Sequence, residues 1–216
     1  MSRRAFHRAS EAERRQDLIA ATLDCIAEFG VQGATVRQIA TRAGVTGGLI
    51  RHYFESKDQM VQAAYRETMM GMTRTAIEAA DSTDGDARTR LSRFIVASLT
   101  PPVTDPRTLS LWAGFIGHVR IDPVFGEIHR ENYAVFREAL ETLLAAFFKE
   151  IGRTPTAQMC RAHSIAINGL IDGLWIEGSL AADMFHEREL AEVALRSVEA
   201  MLGLPQGGLA EDGRKN

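Results

Sequence analysis

Three times beyond Pro102 a short polar residue stands directly before a proline: Asp105-Pro106, Asp122-Pro123 and Thr154-Pro155. Proline is tolerated at the first position of an α-helix, where its missing N–H has no partner to lose, and the preceding aspartate or threonine can cap the turn. Each pair therefore predicts a helix start. The expected helices run over about 106–120, 123–151 and 155–183, with a last one over about 186–202 stopped by Gly203 and Pro205. Upstream, Leu18, Thr22, Ile26 and Phe29, with Ile19 and Leu23 beside them, recur at helical spacing up to Gly30. Thr35 and Thr46 can cap two short helices, the first ended by Gly44, and Ser56-Lys-Asp-Gln59 is a capping-box pattern opening a long helix toward Ala80. The run 81–86 reads as a loop, and Pro101-Pro102 closes a helix whose apolar side is Leu91, Phe94, Ile95 and Leu99. No strand-like alternation interrupts this pattern. The expected fold is all-α, with about nine helices.

Hydrophobic residues at 45% and charged residues at 25% of 216 suffice for a buried core and exclude wholesale disorder. No apolar run reaches the length of a membrane span, and the N-terminal residues lack the apolar stretch of a signal peptide. Two cysteines, Cys25 and Cys160, cannot by themselves build a disulfide framework or a zinc site. The expected location is cytoplasmic. Residues 1–57 hold nine Lys/Arg against six Asp/Glu, while the remainder is net acidic within an overall charge of -3. A basic head on an acidic body suits a chain of which one end meets a polyanion. The expected organisation is a head over 1–57, a body over 58–204 and a disordered tail over 205–216.

The most specific segment is Ala34-Thr-Val-Arg-Gln-Ile-Ala-Thr-Arg-Ala-Gly-Val-Thr-Gly-Gly-Leu-Ile-Arg-His-Tyr-Phe54. Two short helices around a glycine match a helix-turn-helix, whose second helix enters the DNA major groove. On that helix Val45, Ile50 and Phe54 belong to the inner face, while Gly47, Gly48 and Arg51 fall on the other. Glycines there let the backbone approach DNA closely, and arginine can pair with guanine O6 and N7 or with phosphate. Arg37, Thr46, Tyr53 and Lys57 sit at helix ends, where phosphate contacts position such a motif. The plainer alternative is a helical hairpin with solvated arginines.

With its leading helix ending in Phe29-Gly30, then Thr35-Val-Arg-Gln-Ile-Ala40, Ala43-Gly-Val45 and His52-Tyr-Phe54 through Lys57, the head resembles the DNA-binding domain of the TetR family over roughly residues 11–60. The resemblance implies operator contacts from Arg37, Thr46, Gly47, Gly48, Arg51, Tyr53 and Lys57. The Gly47-Gly48 pair departs from the family's usual pattern, which places more of the base reading on Arg51. Arg3, Arg4 and Arg8 either form an arm along the DNA or are a solvated start.

The resemblance further implies a homodimer joined through the last two helices, about 155–183 and 186–202. Candidate seam residues are Ile167, Gly169, Leu170, Ile171, Gly173, Leu174 and Gly178 on the first, and Leu190, Val193, Ala194, Val198 and Met201 on the second. These residues are equally suited to an intrachain core. Trp112-Ala-Gly-Phe115 and Asn168-Gly-Leu-Ile-Asp-Gly-Leu-Trp175 resemble the choline-responsive repressor (BetI) branch, whose effectors are quaternary ammonium compounds. Such a cation wants aromatic faces and a carboxylate. Trp112, Phe115, Tyr133, Phe136 and Trp175 are the candidate aromatics, and Asp172 and Glu177 the candidate charges; the bland alternative is that the rings are core.

No catalytic constellation accompanies these features: there is no Gly-rich phosphate loop, HExxH helix or Gly-x-Ser-x-Gly elbow. His118, Asp122 and His129 straddle a predicted helix break, so no metal site is assigned. The expected protein is not an enzyme and needs no cofactor. It is a repressor that a small molecule releases from double-stranded operator DNA, the long helix from Lys57 serving as lever between head and body. The alternatives are a regulator of an efflux or catabolic operon answering a different amphipathic ligand, and a helical scaffold.

Overall fold

The computed structural model describes residues 10–81, 85–186 and 188–209. Among them are nine α-helices and no strand: α1 (Glu11–Gly33), α2 (Val36–Ala43), α3 (Gly47–Tyr53), α4 (Lys57–Asp81), α5 (Ala87–Ser98), α6 (Pro106–Ile116), α7 (Pro123–Glu150), α8 (Ala157–Leu180) and α9 (Glu189–Leu202). The chain divides into two compact units between Glu67 and Thr68, inside α4. Residues 57–67 thus fold with the head rather than the body, and Met60, Val61, Ala64 and Tyr65 on this stretch are buried. No helix of the described residues is long and apolar enough to cross a membrane.

In the head, Ser10 and Glu13 form a capping box that opens α1. Gly30 adopts a left-handed φ of 72°, so the helical path breaks where the sequence predicts a stop, then resumes for one turn to Gly33. Thr35 and Gln38 close a second capping box on α2, Gly44 ends it at φ 65°, and the Thr46 hydroxyl accepts the Leu49 N–H to start α3. Leu18, Cys25 and Ile26 of α1, Ile39 of α2, and Ile50 and Phe54 at α3 are all buried. An Arg42–Glu28 ion pair ties α2 to α1, and the Arg15 guanidinium lies 5.1 Å from the centre of the Phe54 ring.

In the body, α7 packs against α5 and α8, while α8 also packs on α6 and α9, and α5 on α9. Gly178 marks a close crossing, since a Cβ there would stand 2.9 Å from Leu190 Cδ1 of α9 and 3.2 Å from Leu109 Cδ1 of α6.

The three proline pairs behave differently. Asp122 caps α7 through the Val124 N–H at 2.8 Å. Asp105 makes no side-chain cap, although Pro106 does open α6. At α8 the cap is Thr156, two residues after Thr154, so Pro155 precedes the helix. Helix α6 stops at Ile116 instead of near 120, because Gly117 to Asp122 turn through successive short-range bonds such as His118 N–H to Phe115 O. Helix α8 ends at Leu180, a 3-10 turn follows over Ala182–Met184, and α9 begins at Glu189 rather than 186.

The expected disordered tail needs correction over its first residues. The chain turns back after Gly203, and the Glu199 carboxylate accepts the N–H groups of Gly207 at 3.0 Å and Leu209 at 2.9 Å. Glu199 and Leu209 are both buried. A buried carboxylate needs donors, and two backbone N–H groups from the returning segment supply them. Residues 210–216, and the Arg3, Arg4 and Arg8 arm, lie outside the described residues.

Candidate functional site

The head presents one basic face built on α2 and α3. Arg37, in the first turn of α2, and Arg51, at the fifth position of α3, are exposed, and their guanidinium groups have no hydrogen bond or ion pair among the described residues. Thr46 is held as the α3 cap with its hydroxyl at the surface, and Tyr53 is half-buried against His52, ring edge to ring face at 5.0 Å. Lys57 differs from the free arginines, because its ammonium donates to the Gln32 carbonyl at 3.2 Å and ties the start of α4 to the end of α1. Gly47, Arg51 and Lys57 line a cleft of about 330 Å³ together with Val36, Ile50 and Phe54.

Gly47 and Gly48 both have ordinary helical backbone, and a Cβ would meet nothing within 4 Å at Gly47 and only the Thr46 hydroxyl at 3.8 Å at Gly48. The fold of this chain therefore has no need of glycine at either place. Glycine in a helix costs roughly 0.5–1 kcal/mol relative to alanine. Gly47→Ala and Gly48→Ala are accordingly expected to raise the melting temperature of the head by a few degrees while weakening binding to operator DNA. Thermal denaturation and fluorescence anisotropy on the same preparations check both signs. An alanine variant that binds operator as well as the native chain removes the close-approach role.

A second constellation lies in the body. The Tyr133 hydroxyl of α7 donates to Asp172 Oδ1 of α8 at 2.8 Å, and Asn168 Nδ2, one turn earlier on α8, donates to Oδ2 at 2.9 Å. The Tyr133 ring stacks on His129 at 4.0 Å, and Arg137 Nε donates to the Tyr133 carbonyl. Among the described residues no lysine or arginine forms an ion pair with Asp172. Burial pushes its carboxyl up to about 6, against the opposing pull of the Tyr133 and Asn168 bonds and of the Arg137 charge. Burial likewise lowers His129, helped by the Arg137 and Arg130 charges.

The expected aromatics do not form a single ring of contacts. Trp112 and Trp175 meet edge-on at 5.6 Å, and Trp175 Nε1 donates to the Ser98 carbonyl. Phe115 packs on Phe125 and Phe136 on Phe94, all four buried. Trp175 lies three residues beyond Asp172 on α8, about 60° around the helix from it. Glu177 does not join them. Five residues past Asp172 it is turned roughly 140° around the helix and is exposed. Asn168 and His129 are the site residues that sequence reading missed. The spacing of Asn168 and Asp172, one helical turn, was the available signal. His118 and His129 pack against Phe125 and Tyr133, and Asp122 caps α7, so these three do not converge.

Of the expected seam, Ile167, Ile171, Gly178, Leu190, Ala194 and Val198 are buried within the chain itself. The large apolar side chains that remain exposed on these helices are Ile165, Ile176 and Leu180 of α8 and Met201 of α9, with Gly169 and Gly173 exposed on α8.

Known proteins resemble both units. Residues 18–64 match bacterial regulatory proteins of the tetR family, and residues 87–203 match the BetI-type transcriptional repressor C-terminal domain. The HTH-type transcriptional regulator BetI of Burkholderia lata is 28% identical over 189 residues, covering 88% of this chain and 94% of its own. That of Klebsiella pneumoniae is 30% identical over 169 residues, 78% of this chain and 83% of its own. A solved transcriptional regulator from Pseudomonas aeruginosa PAO1 superposes with a TM-score of 0.80 at 33% identity, covering 92% of this chain and 94% of that one. A regulator from Saccharomonospora viridis, solved in complex with choline, shares the fold at a TM-score of 0.70 and 18% identity, covering 89% of this chain and 97% of that one.

Proposed function

This chain belongs to the TetR family of transcriptional regulators, with a BetI-type C-terminal body, and from that premise we propose that it is a cytoplasmic, homodimeric repressor released from its operator by a small organic cation of the choline type. Residues 34–57 hold the operator, with Arg51 reading bases, Gly47 and Gly48 admitting the backbone, and Arg37, Thr46, Tyr53 and Lys57 placing the motif on the phosphates. Two copies join through α8 and α9, where Ile165, Ile176, Leu180 and Met201 await cover. Dimerisation sets two recognition helices about 34–36 Å apart, one turn of DNA.

The observation that carries the effector reading is Asp172, a part-buried carboxylate hydrogen-bonded by Tyr133 and Asn168 and in no ion pair among the described residues. An anion drawn out of water with no cation in contact, Arg137 acting on it only through its charge, is costly, and an organic cation seated against it, with aromatic rings beside it, relieves that cost. The effector weakens operator binding only by the difference in its affinity for the DNA-competent and incompetent arrangements. Helix α4, continuous from Lys57 to Asp81 through the boundary between the units, is the element that carries the change.

The pH dependence of binding tests this. With the Asp172 carboxyl raised to about 6 in the unliganded protein, a cation must first drive off its proton at lower pH. Choline affinity measured by calorimetry is expected to be about tenfold weaker at pH 5 than at pH 7.5 and level above neutrality. Equal affinity at the two values removes Asp172 as the cation's partner.

A second reading has its own support. A cleft of about 310 Å³ lined by Ile77, Ala80, Phe94, Val135 and Leu143, with Arg90 among its polar residues, suits a larger amphipathic ligand. Release of operator by such a ligand in the absence of any choline response favours this alternative.

A further inference from the structure

The cleft of about 330 Å³ at α3 combines an apolar lining with four polar residues. Val36 and Gly47 in that lining are half-buried, and Ile50, Phe54 and Met60 are buried. Three of the polar side chains are already engaged. Glu55 Oε2 accepts from Gln59 Nε2 at 3.0 Å, the Ser56 hydroxyl accepts the Gln59 N–H at 3.1 Å, and Lys57 donates to the Gln32 carbonyl. The fourth, the Arg51 guanidinium, has no partner among the described residues. At Gly47 there is room, since an added Cβ would meet nothing within 4 Å. Gly47 and Arg51 also belong to the outward face of α3, so the cleft is continuous with the surface that meets DNA. They stand four residues apart, a rise of about 6 Å, close to two base-pair steps of about 3.4 Å. The edges of base pairs in the major groove offer acceptors, amino donors and a single apolar group, the C5-methyl of thymine. A polar edge pressed into an apolar lining forfeits its hydrogen bonds to water, whereas a methyl group gains by leaving water.

We propose that this cleft selects thymine: a thymine C5-methyl group enters at Gly47 and seats on the apolar lining, within about two base pairs of the guanine that Arg51 pairs. Gly47 is then a specificity-determining residue by having no side chain, and the half-site acquires a chemical signature of one methyl group beside one guanine. This rests on the operator reading above and deepens it, since it names a base that no side-chain hydrogen bond of α3 reads.

The test removes the methyl group and nothing else. A duplex selected from a random pool by the full-length native protein is remade with each thymine in turn replaced by deoxyuridine, and affinity is measured by fluorescence anisotropy at fixed salt. One thymine of each half-site is expected to respond, with a loss of about fourfold when one half-site is changed and about tenfold or more when both are. Replacing each guanine by 7-deazaguanine locates the base that Arg51 reads, and the responsive thymine should lie within about two base pairs of it. In Gly47→Ala, whose added methyl group takes up the opening, the same deoxyuridine replacement is expected to cost about twofold or less. Native protein that binds every deoxyuridine duplex as tightly as the parent overturns the proposal and leaves the operator reading intact, since the parent duplex is still bound. A responsive thymine farther from that guanine, or a response undiminished in Gly47→Ala, overturns it as well. Failure to select any duplex overturns the operator reading and this proposal with it. The native series needs no altered protein, so the outcome does not depend on how Gly47→Ala behaves.

Discussion

Arg51→Ala is expected to abolish the distinction between operator and unrelated DNA while leaving the head folded. Arg51 is exposed and unpartnered on α3, so its removal breaks no bond among the described residues. It stands one helical turn beyond Gly47 and Gly48, which offer no side chain to a base. Little else on this helix can replace its reading. A bidentate arginine–guanine pair is worth about 1–3 kcal/mol, and a two-fold symmetric dimer loses it at both half-sites. Specific affinity should thus fall by about two orders of magnitude or more, toward that for scrambled duplex. The measurement is fluorescence anisotropy at fixed salt, on a duplex selected from a random pool by the native protein and on its scrambled counterpart. Arg37→Ala supplies the contrast. As a phosphate contact it should weaken both duplexes alike and flatten the salt dependence. If Arg51→Ala keeps the native ratio between the two duplexes, base reading lies elsewhere.

Asp172→Asn should move stability and effector binding in opposite directions. A carboxyl raised from 3.8 to about 6 by burial binds its proton more tightly in the folded chain than in the unfolded one. The native state therefore loses stability as pH rises from about 4 to 6, and above 6 it carries the whole penalty, about 3 kcal/mol at most. Asparagine keeps the shape and can accept the Tyr133 hydrogen bond, but it replaces one acceptor facing Asn168 with a donor. A net gain of about 1–2 kcal/mol at pH 7 follows, shrinking toward nothing at pH 4, where the native carboxyl is protonated. Choline affinity should fall at least about tenfold, because the countercharge is gone. Thermal denaturation at the two pH values and calorimetric titration at pH 7.5 report these together. An Asp172→Asn chain less stable than native at pH 7 would mean that the ionised carboxylate holds the body together and is not reserved for a ligand.

Several helix ends were legible because their signals are satisfied within three or four residues. Thr35 with Gln38, Gly44, Thr46 and Asp122 each complete their hydrogen bonds inside one turn, so the residue types alone suffice. The head's outward face was legible for the same reason: a seven-residue helix with Ile50 and Phe54 inward leaves Gly47, Gly48 and Arg51 outside whatever the remainder does. Where the local signal is duplicated the reading fails. Thr154 and Thr156 flank Pro155 as rival caps, and it is the Thr156 hydroxyl that accepts the Met159 N–H.

The body's site was legible only in part. Tyr133 and Asp172 are 39 residues apart, and Trp175 finds its acceptor at Ser98, 77 residues away. Periodicity names a side of a helix but not what stands opposite it, so Glu177 looked as eligible as Asp172, and Phe115 as Trp112. The segment 205–209 shows the same limit. Its glycines and proline read as disorder, yet the buried Glu199 carboxylate requires donors and the returning chain provides them. By itself the sequence determined the helices, the DNA-binding head and the kind of protein this is, because caps, helical spacing and the helix-turn-helix string are local patterns. The tertiary structure alone decided which carboxylates are drawn out of water, which indole finds no acceptor among the described residues and which side of α8 stays bare. Burial depends on what distant segments bring to a surface, and no residue's neighbours along the chain record that.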